Sequence, residues 1–397
     1  MLRWWKYVIV ALAAVVASVA LVIWWFWDAP LLSPLTDSSV IRFLTTPPAS
    51  SQGKVVYGFI PYWNLASVQL QPELTHASYF SLTIGADGSL LTKVDGATDL
   101  GYSRLQSDAF LEVSQTMRAS RRKTELVISQ FDNDDIKAFL SSPTAQQQLI
   151  KSLDAALLAY PVSGINVDIE YSGEVTPELR LQLVQFMTLL RQHLDQKYDQ
   201  VQLSIDMYAS ASTRYSIWDV ERLGPLVDYL IVMAYDFHTR SSIQAGPVAP
   251  LLGGKKYWDT DINQQLQAYV KVVPSHKLLL GVPFYGYEWQ TTSAEAQAMT
   301  FPKTGSTASF KRVQDLLVRK DELQLEEHWN EEALSPYLTY VEDGETFVVY
   351  YENSRSLAYK LDYVNQLNLG GIAIWALGYE GTSRELWDVI HQKLYQQ

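Results

Sequence analysis

Eight short apolar runs, most of them separated by helical patterns, constrain the fold of this chain more than any other feature. The runs are Val55–Ile60, His76–Leu82, Glu125–Ser129, Gly164–Glu170, Gln202–Asp206, Tyr229–Ala234, Lys277–Val282 and Gly371–Trp375. Their length and branched or aromatic content are typical of buried strands. Alternation of eight strands with helices predicts an α/β protein whose body is a single (β/α)8 TIM barrel. A doubly wound open sheet is the competing fold, but no Gly-x-Gly-x-x-Gly turn follows the first run.

The helices between these runs have readable ends. The clearest is opened by Thr176, with Pro177 as its first residue. Further helices are predicted from Pro143 to before Pro161 and over Thr260–Val272, Ser354–Leu367 and Ser383–Tyr395.

The interval from Tyr287 to Tyr351, between the seventh and eighth runs, breaks the alternation. It ends in two alternating strands around Asp343-Gly344, a dipeptide that strongly favours a hairpin turn. We expect residues 287–351 to form a small α+β insertion beside the barrel mouth.

An uncharged stretch from Tyr7 to Trp27 precedes the barrel, and Arg3 and Lys6 precede the stretch. It is long enough to span a bilayer as a helix. We therefore predict a cytoplasmic leader over residues 1–6 and a transmembrane signal anchor over residues 7–27. Positive charge before the span predicts that the body lies outside the cytoplasm, anchored to the membrane.

A cleaved signal peptide is the alternative, with Ser18-Val19-Ala20 as an acceptable site. Cleavage there would leave an apolar, Trp-rich terminus, so the uncleaved anchor is favoured.

Residues 28–53 are rich in Pro, Ser and Thr and show no sustained period, which predicts a tether. The ordered barrel should cover residues 54–397.

Composition narrows the classes of function. The chain has no cysteine, which excludes a disulfide scaffold, a thiolate nucleophile and Cys-ligated zinc, and favours a bacterial-type cell-envelope protein. Its net charge of -12 would repel nucleic acid and other anionic polymers. A neutral or zwitterionic ligand suits such a body better.

The fourth run contains the strongest chemical signal. In a strand, alternate side chains share a face, so Asn166, Asp168 and Glu170 lie on one side and three β-branched residues on the other. Neighbouring carboxylates repel and their pKa values move apart, which is how acid/base catalysts are commonly built. A half-exposed strand with its polar side in water is the alternative.

In TIM barrels the reactive residues gather at the carboxyl ends of the strands. The rule selects Asp168, Glu170, Tyr235, Asp236, Tyr285 and Trp375. We expect these side chains to face one mouth.

With these residues in view, the chain resembles family 18 of the glycoside hydrolases, the chitinases and their relatives. The fourth strand of that family reads Asp-Gly-x-Asp-x-Asp-x-Glu, and the corresponding stretch here is Ser163–Glu170. Further matches are Tyr57–Trp63 in the first strand, Met233–Asp236 in the sixth, Gly281–Gly286 in the seventh and Gly370–Trp375 in the eighth. The family often carries an α+β insertion between its last two strands as well.

The resemblance implies substrate-assisted, retaining hydrolysis of a β-1,4-linked N-acetylglucosamine glycan, without metal or cofactor. Glu170 would be the acid and base. Asp168 would hold the acetamido N–H, Tyr235 would donate to the acetamido oxygen, Asp236 would help to fix that group, and Trp375 would form the floor. The remaining predicted substrate-binding residues are Asn166, Tyr285, Met233 and Tyr62. We expect a monomer.

The chain departs from the family pattern at Ser163 and Asn166, which replace the first two Asp residues of the motif. We therefore expect that Asp168 cannot share a proton with a neighbour as in the typical member, although Asn166 could still donate a hydrogen bond to it. We expect an altered pH dependence with activity kept. Ser129–Asp132 also replaces the Ser-x-Gly-Gly element common after the third strand.

The motifs leave chitin-type oligosaccharides and peptidoglycan strands open as substrates. A glycan-binding lectin on the same barrel is an alternative of a different class. The presence of the acid Glu170, which lectins of the family typically lose, favours the enzyme. A third reading makes Asn166, Asp168 and Glu170 ligands of a divalent cation, completed by Asp206 or Asp236.

Overall fold

The computed structural model describes residues 53–94 and 96–396. The predicted leader and transmembrane segment, and the tether up to residue 52, lie outside this part of the chain. Across the two described ranges, none of the helices combines the length and the apolar character that a membrane span requires.

Eight parallel strands close into a barrel. In chain order, the strands of the described residues are β1 Val55–Pro61, β2 His76–Thr83, β3 Lys93–Val94, β4 Ala97–Thr98, β5 Lys123–Gln130, β6 Gly164–Ile169, β7 Gln202–Tyr208, β8 Tyr229–Met233, β9 Leu278–Pro283, β10 Tyr285–Thr291, β11 Ser306–Ser309, β12 Glu326–Asn330, β13 Ser335–Glu342, β14 Glu345–Tyr350 and β15 Gly371–Trp375. The barrel order is β1-β15-β9-β8-β7-β6-β5-β2. Each apolar run of the sequence supplies one barrel strand, which confirms the TIM barrel over the open sheet.

Helices lie between most of these strands. They are Leu100–Leu105, Asp108–Ala119, Asn133–Ser141, Pro143–Ala159, Pro177–Lys197, Val220–Leu223, Ile262–Tyr269, Phe310–Val318, Ser354–Gln366 and Glu385–Leu394. Thr176 caps the longest helix through the backbone N–H of Leu179, as its sequence predicts. The helix predicted from Thr260 starts later, because the side chain of Asp261 accepts from the N–H of Gln264 and acts as its N-cap.

A five-stranded antiparallel sheet, in the order β11-β10-β14-β13-β12, occupies the predicted insertion interval. Its hairpin turns at Asp343 and Gly344, whose φ angles of 53° and 83° are left-handed, as a two-residue type I′ turn requires. The sheet begins at Tyr285, separated from the end of β9 by Phe284 alone, and two residues before the predicted start. The insertion is therefore joined to the barrel without a linker on that side.

Within the insertion, two sets of contacts hold β10. A Cβ at Gly286 would lie 1.7 Å from the backbone oxygen of Tyr350, so only glycine allows this approach of β10 to β14. Buried Glu288 accepts two hydrogen bonds from Arg312 of the helix Phe310–Val318, at 2.9 and 3.1 Å, and a third from Tyr340. These contacts hold β10 in place. β10 is the strand whose first residue, Tyr285, reaches the barrel mouth.

Candidate active site

A cavity of about 220 Å³ opens at the carboxyl ends of the barrel strands and joins a wider cleft of about 800 Å³. Its wall consists of Phe59, Phe80, Asp168, Glu170, Asp206, Tyr208, Met233, Tyr235, Asp236, Tyr285 and Trp375. Seven of the predicted site residues are in this wall: Glu170, Asp168, Tyr235, Asp236, Trp375, Tyr285 and Met233.

The two acids of β6 have different surroundings. Asp168 is 3% exposed, and its Oδ1 has no hydrogen-bond partner among the described residues. Burial raises its pKa well above the usual range, and the charges of Asp206 and Glu170 add to the rise. Burial also raises the pKa of Glu170, against a hydrogen bond with Tyr208 that lowers it. Such an environment keeps a carboxyl protonated, as a general acid must be.

Asp236 follows β8 directly and is held in a left-handed backbone conformation, with φ of 60°. Its Oδ1 accepts hydrogen bonds from the hydroxyl of Tyr285 and, at 2.9 Å, from that of Tyr287. Both tyrosines come from β10 of the insertion. The sequence predicts that Tyr285 contacts the substrate. In the structure its hydroxyl donates a hydrogen bond to Asp236.

The ring of Tyr235 has space because Gly281 lies beside it. A Cβ at Gly281 would be 3.0 Å from a ring carbon of Tyr235 and 2.5 Å from the backbone oxygen of Val232. Burial, together with the neighbouring acids, raises the pKa of Tyr235 well above 10. The phenol therefore stays protonated and can donate a hydrogen bond into the cavity.

The floor of the cavity is aromatic. The ring of Trp375 lies edge-on to Phe80 at 4.6 Å and tilted against Phe59 at 5.7 Å. An apolar surface of this kind suits the face of a sugar ring. The two phenylalanines were missed from the sequence, although both are near the carboxyl ends of their strands.

The remaining two predicted residues are outside the cavity wall. Asn166 is 0% exposed beneath the cavity and has no access to a ligand. Its amide donates to Ser204 and to Asp206, each at 2.9 Å, and not to Asp168 as the sequence suggested. Tyr62 packs edge-on against Trp63 at 4.9 Å.

The family model described as "Glycosyl hydrolases family 18" matches residues 49–380. The chain belongs to this family. It is therefore similar to glycosidases, and the expectation from its strand motifs is confirmed.

Curated proteins similar to this chain include a putative glycosylase of sporulation, a cortical fragment-lytic enzyme and a chitinase. The chain is 27% identical over 256 residues to the putative sporulation-specific glycosylase YdhD of Bacillus subtilis, covering 64% of this chain and 56% of that protein. It is 23% identical to the cortical fragment-lytic enzyme of Bacillus anthracis, covering 79% and 67%. It is 25% identical to the class V chitinase of Arabidopsis thaliana, covering 65% and 70%. The chain thus spans little more than half of YdhD.

Solved structures of family 18 share the fold. The Group IV chitinase of Ostrinia furnacalis superposes with a TM-score of 0.75 at 20% identity, covering 86% of this chain and 99% of that one. The spore cortex-lytic enzyme SleL of Bacillus megaterium gives 0.67 at 18% identity, covering 88% and 76%.

Two further residues of the cavity wall, Asp206 and Tyr208, come from β7. Asp206 is 2% exposed and Tyr208 ends the strand. The apolar run in the sequence ends at Asp206, whereas the strand continues to Tyr208, so the sequence does not indicate Tyr208 as a strand-end residue. The sequence indicates Asp206 only as a possible cation ligand.

The cation reading finds no ligand set. Within residues 53–94 and 96–396, no group of three or more His, Cys, Asp or Glu side chains could hold a metal ion. Asn166 is also turned with its amide nitrogen, a donor, towards Asp206.

Replacing Asp236 should change the pH dependence of a reaction at this site. The charge of Asp236 raises the pKa of Glu170, and a protonated Glu170 defines the alkaline limb when it acts as the acid. Asp236→Asn should therefore move the alkaline limb of kcat/KM to lower pH, by about one unit. The measurement is a pH–rate profile on an N-acetylglucosamine oligosaccharide.

The matched control is Asp259→Asn, because Asp259 is an acid of the outer cleft. It should leave the alkaline limb in place. An unmoved limb in Asp236→Asn would refute this electrostatic role.

Proposed function

We propose that this family 18 member hydrolyses β-1,4-linked N-acetylglucosamine glycans by a substrate-assisted, retaining mechanism outside the cytoplasmic membrane. The observation that carries the proposal is the pair Asp168 and Glu170 on one strand face, with the unpartnered Oδ1 of Asp168 buried in the cavity wall. A buried acceptor without a partner is costly unless a ligand supplies a donor. The N–H of a 2-acetamido group is such a donor.

In the first step, Glu170 protonates the glycosidic oxygen while the acetamido oxygen of the substrate attacks the anomeric carbon. The glycosidic bond breaks and an oxazolinium ion forms. In the second step, Glu170 takes a proton from a water molecule, which opens the oxazolinium from the opposite side. Two inversions retain the configuration, and no protein carboxylate attacks the sugar.

The other wall residues have supporting roles. Asp168 accepts the acetamido N–H and offsets the positive charge of the oxazolinium. Tyr235 donates to the acetamido oxygen, and Asp236, held by Tyr285 and Tyr287, limits the movement of the group. Trp375 supports the apolar face of the sugar. Positioning the reacting oxygen in this way lowers the entropic barrier to attack.

Two substrate classes fit this chemistry, namely chitin-type oligosaccharides and peptidoglycan strands. The relatives named for cortex lysis favour peptidoglycan, and the plant relative named as a chitinase favours chitin. A product profile on chitooligosaccharides and on purified peptidoglycan distinguishes them.

Glu170→Gln should slow hydrolysis of either glycan strongly and leave glycan binding intact. Removal of a general acid costs about 10²- to 10⁴-fold in rate, and Gln keeps the shape of the side chain. Turnover is measured from reducing ends, and binding by calorimetry with the same oligosaccharide. Glu178→Gln, an exposed acid of the next helix, is the control.

The same experiment tests the lectin alternative, which the comparisons do not support. A wild-type protein that binds the glycans but turns none of them over would overturn the proposal in favour of a lectin.

The retaining mechanism predicts that the first product formed is the β-anomer. Proton NMR of the anomeric signals during early turnover measures this directly. A cello-oligosaccharide of the same linkage, which lacks the acetamido group, should not be cleaved. Initial release of the α-anomer would exclude the mechanism.

The location outside the membrane is proposed from the sequence of residues 1–53. In cells that express the full chain, the untreated protein should be found in the membrane fraction. A protease added outside the cells should digest the barrel. A variant with residues 7–27 deleted should stay in the cytosol. Protection of the full-length barrel from protease would refute this location.

A further inference from the structure

Asp206 is a buried acid in the cavity wall that the proposed mechanism does not use. In the parallel pair of β6 and β7, Asn166 lies opposite Ser204 and Val167 opposite Ile205. The next pair of inward positions is therefore Asp168 and Asp206. Because neighbouring strands are about 4.8 Å apart, the two carboxyl groups are close neighbours.

Asn166 fixes the position of Asp206 from below. One amide hydrogen goes to Asp206 Oδ1 and the other to Ser204 Oγ, both at 2.9 Å. The hydroxyl of Ser204 donates to Glu125 at 2.7 Å, so it can only accept from Asn166. The amide therefore has one orientation, with a hydrogen directed at Asp206.

Acidic groups and phenols surround Asp206, and they come from four other strands. Those that act on it, or on which it acts, are Asp168 and Glu170 at the end of β6, Glu125 on β5, Tyr57 on β1 and Tyr235 just past β8. Burial raises the pKa of Asp168 and of Asp206 well above the usual range. Two neighbouring carboxyls in such a place release their protons in two separated steps.

We propose that Asp206 is a positioning residue that shares one proton with Asp168 and that Asn166 orients it for this. Relative to the family motif, Asn166 takes the place of the second Asp on β6, and the carboxyl beside Asp168 comes instead from Asp206 on β7. The inference rests on the proposed function, because it concerns the charge of Asp168 during the reaction.

The shared proton lets the charge follow the reaction. With the proton on Asp168, the negative charge is on Asp206, where the amide of Asn166 stabilises it. When the oxazolinium forms, the proton moves to Asp206 and Asp168 becomes the anion beside the positive ring. One O–H bond breaks and another forms, and the pair keeps a net charge of −1 throughout.

Asp206→Asn should move the acid limb of kcat/KM to higher pH by about one unit. In a proton-sharing pair, the hydrogen bond from the protonated partner favours the first ionisation, so the pair reaches its active monoanion at lower pH than a lone buried acid does. At a fixed pH on that limb, one unit corresponds to about a tenfold loss of rate. A merely structural role would lower stability without moving the limb.

The exchanged variant Asn166→Asp/Asp206→Asn is the decisive comparison. It restores one acid and one amide in swapped positions, and its acid limb should return to within about 0.3 units of the wild type, given the effect of a carboxyl neighbour. Asn166→Asp alone adds a third acid and should lose more activity than Asp206→Asn. Glu380→Gln, an equally buried acid at 2% exposure outside the cavity wall, should leave the limb in place.

Infrared titration of the protonated carboxyl band follows the same proton without substrate. At neutral pH, Asp206→Asn should have one protonated carboxyl fewer than the wild type, and thermal unfolding confirms that each variant is folded. An unchanged band, or an exchanged variant no better than Asp206→Asn, would overturn the inference. Failure of the wild type to hydrolyse any N-acetylglucosamine glycan would instead defeat the proposed function, and the infrared result would still decide the shared proton.

Discussion

Repulsion between buried carboxyl groups is the constraint on which this site depends. Asp168, Asp206 and Glu170 come from adjacent strands and line one small cavity. Burial of like charges opposes folding unless protons or hydrogen bonds relieve it. In this protein Asn166 and Tyr208 supply hydrogen bonds and the raised pKa values supply protons. The resulting readiness to hold and release protons is the property that hydrolysis needs.

The rest of the barrel offsets the destabilising effect of these buried acids. Below the acids lies a layer in which Glu125 accepts from Tyr57 at 2.9 Å and from Ser204 at 2.7 Å. Burial raises the pKa of Glu125 to about 7, so this layer carries only part of a full negative charge near neutral pH. The apolar packing of the helices around the barrel supplies the stability that the acidic centre lacks.

The sequence was sufficient for the features that depend on local pattern. The eight strands, the helix capped by Thr176 and the hairpin at Asp343 follow from periodicity and capping, because neighbouring residues determine them. The partners of Asn166 could not be obtained in this way, since they depend on the register between β6 and β7. The same holds for Tyr287, whose contact with Asp236 requires β10 to turn back over the barrel mouth. Tyr62 shows the opposite limit, because a position within a family motif does not ensure that its ring reaches the cavity.

The absence of a linker between β9 and β10 has a consequence for the modularity of the protein. The strand that starts the insertion is also the strand whose tyrosines hold Asp236, and Gly286 allows its close packing on β14. A minimal barrel made by excising the insertion would lose part of its own catalytic cleft. Loop grafting between relatives would therefore have to transfer the β10–β14 sheet together with the end of β8, as one inherited unit.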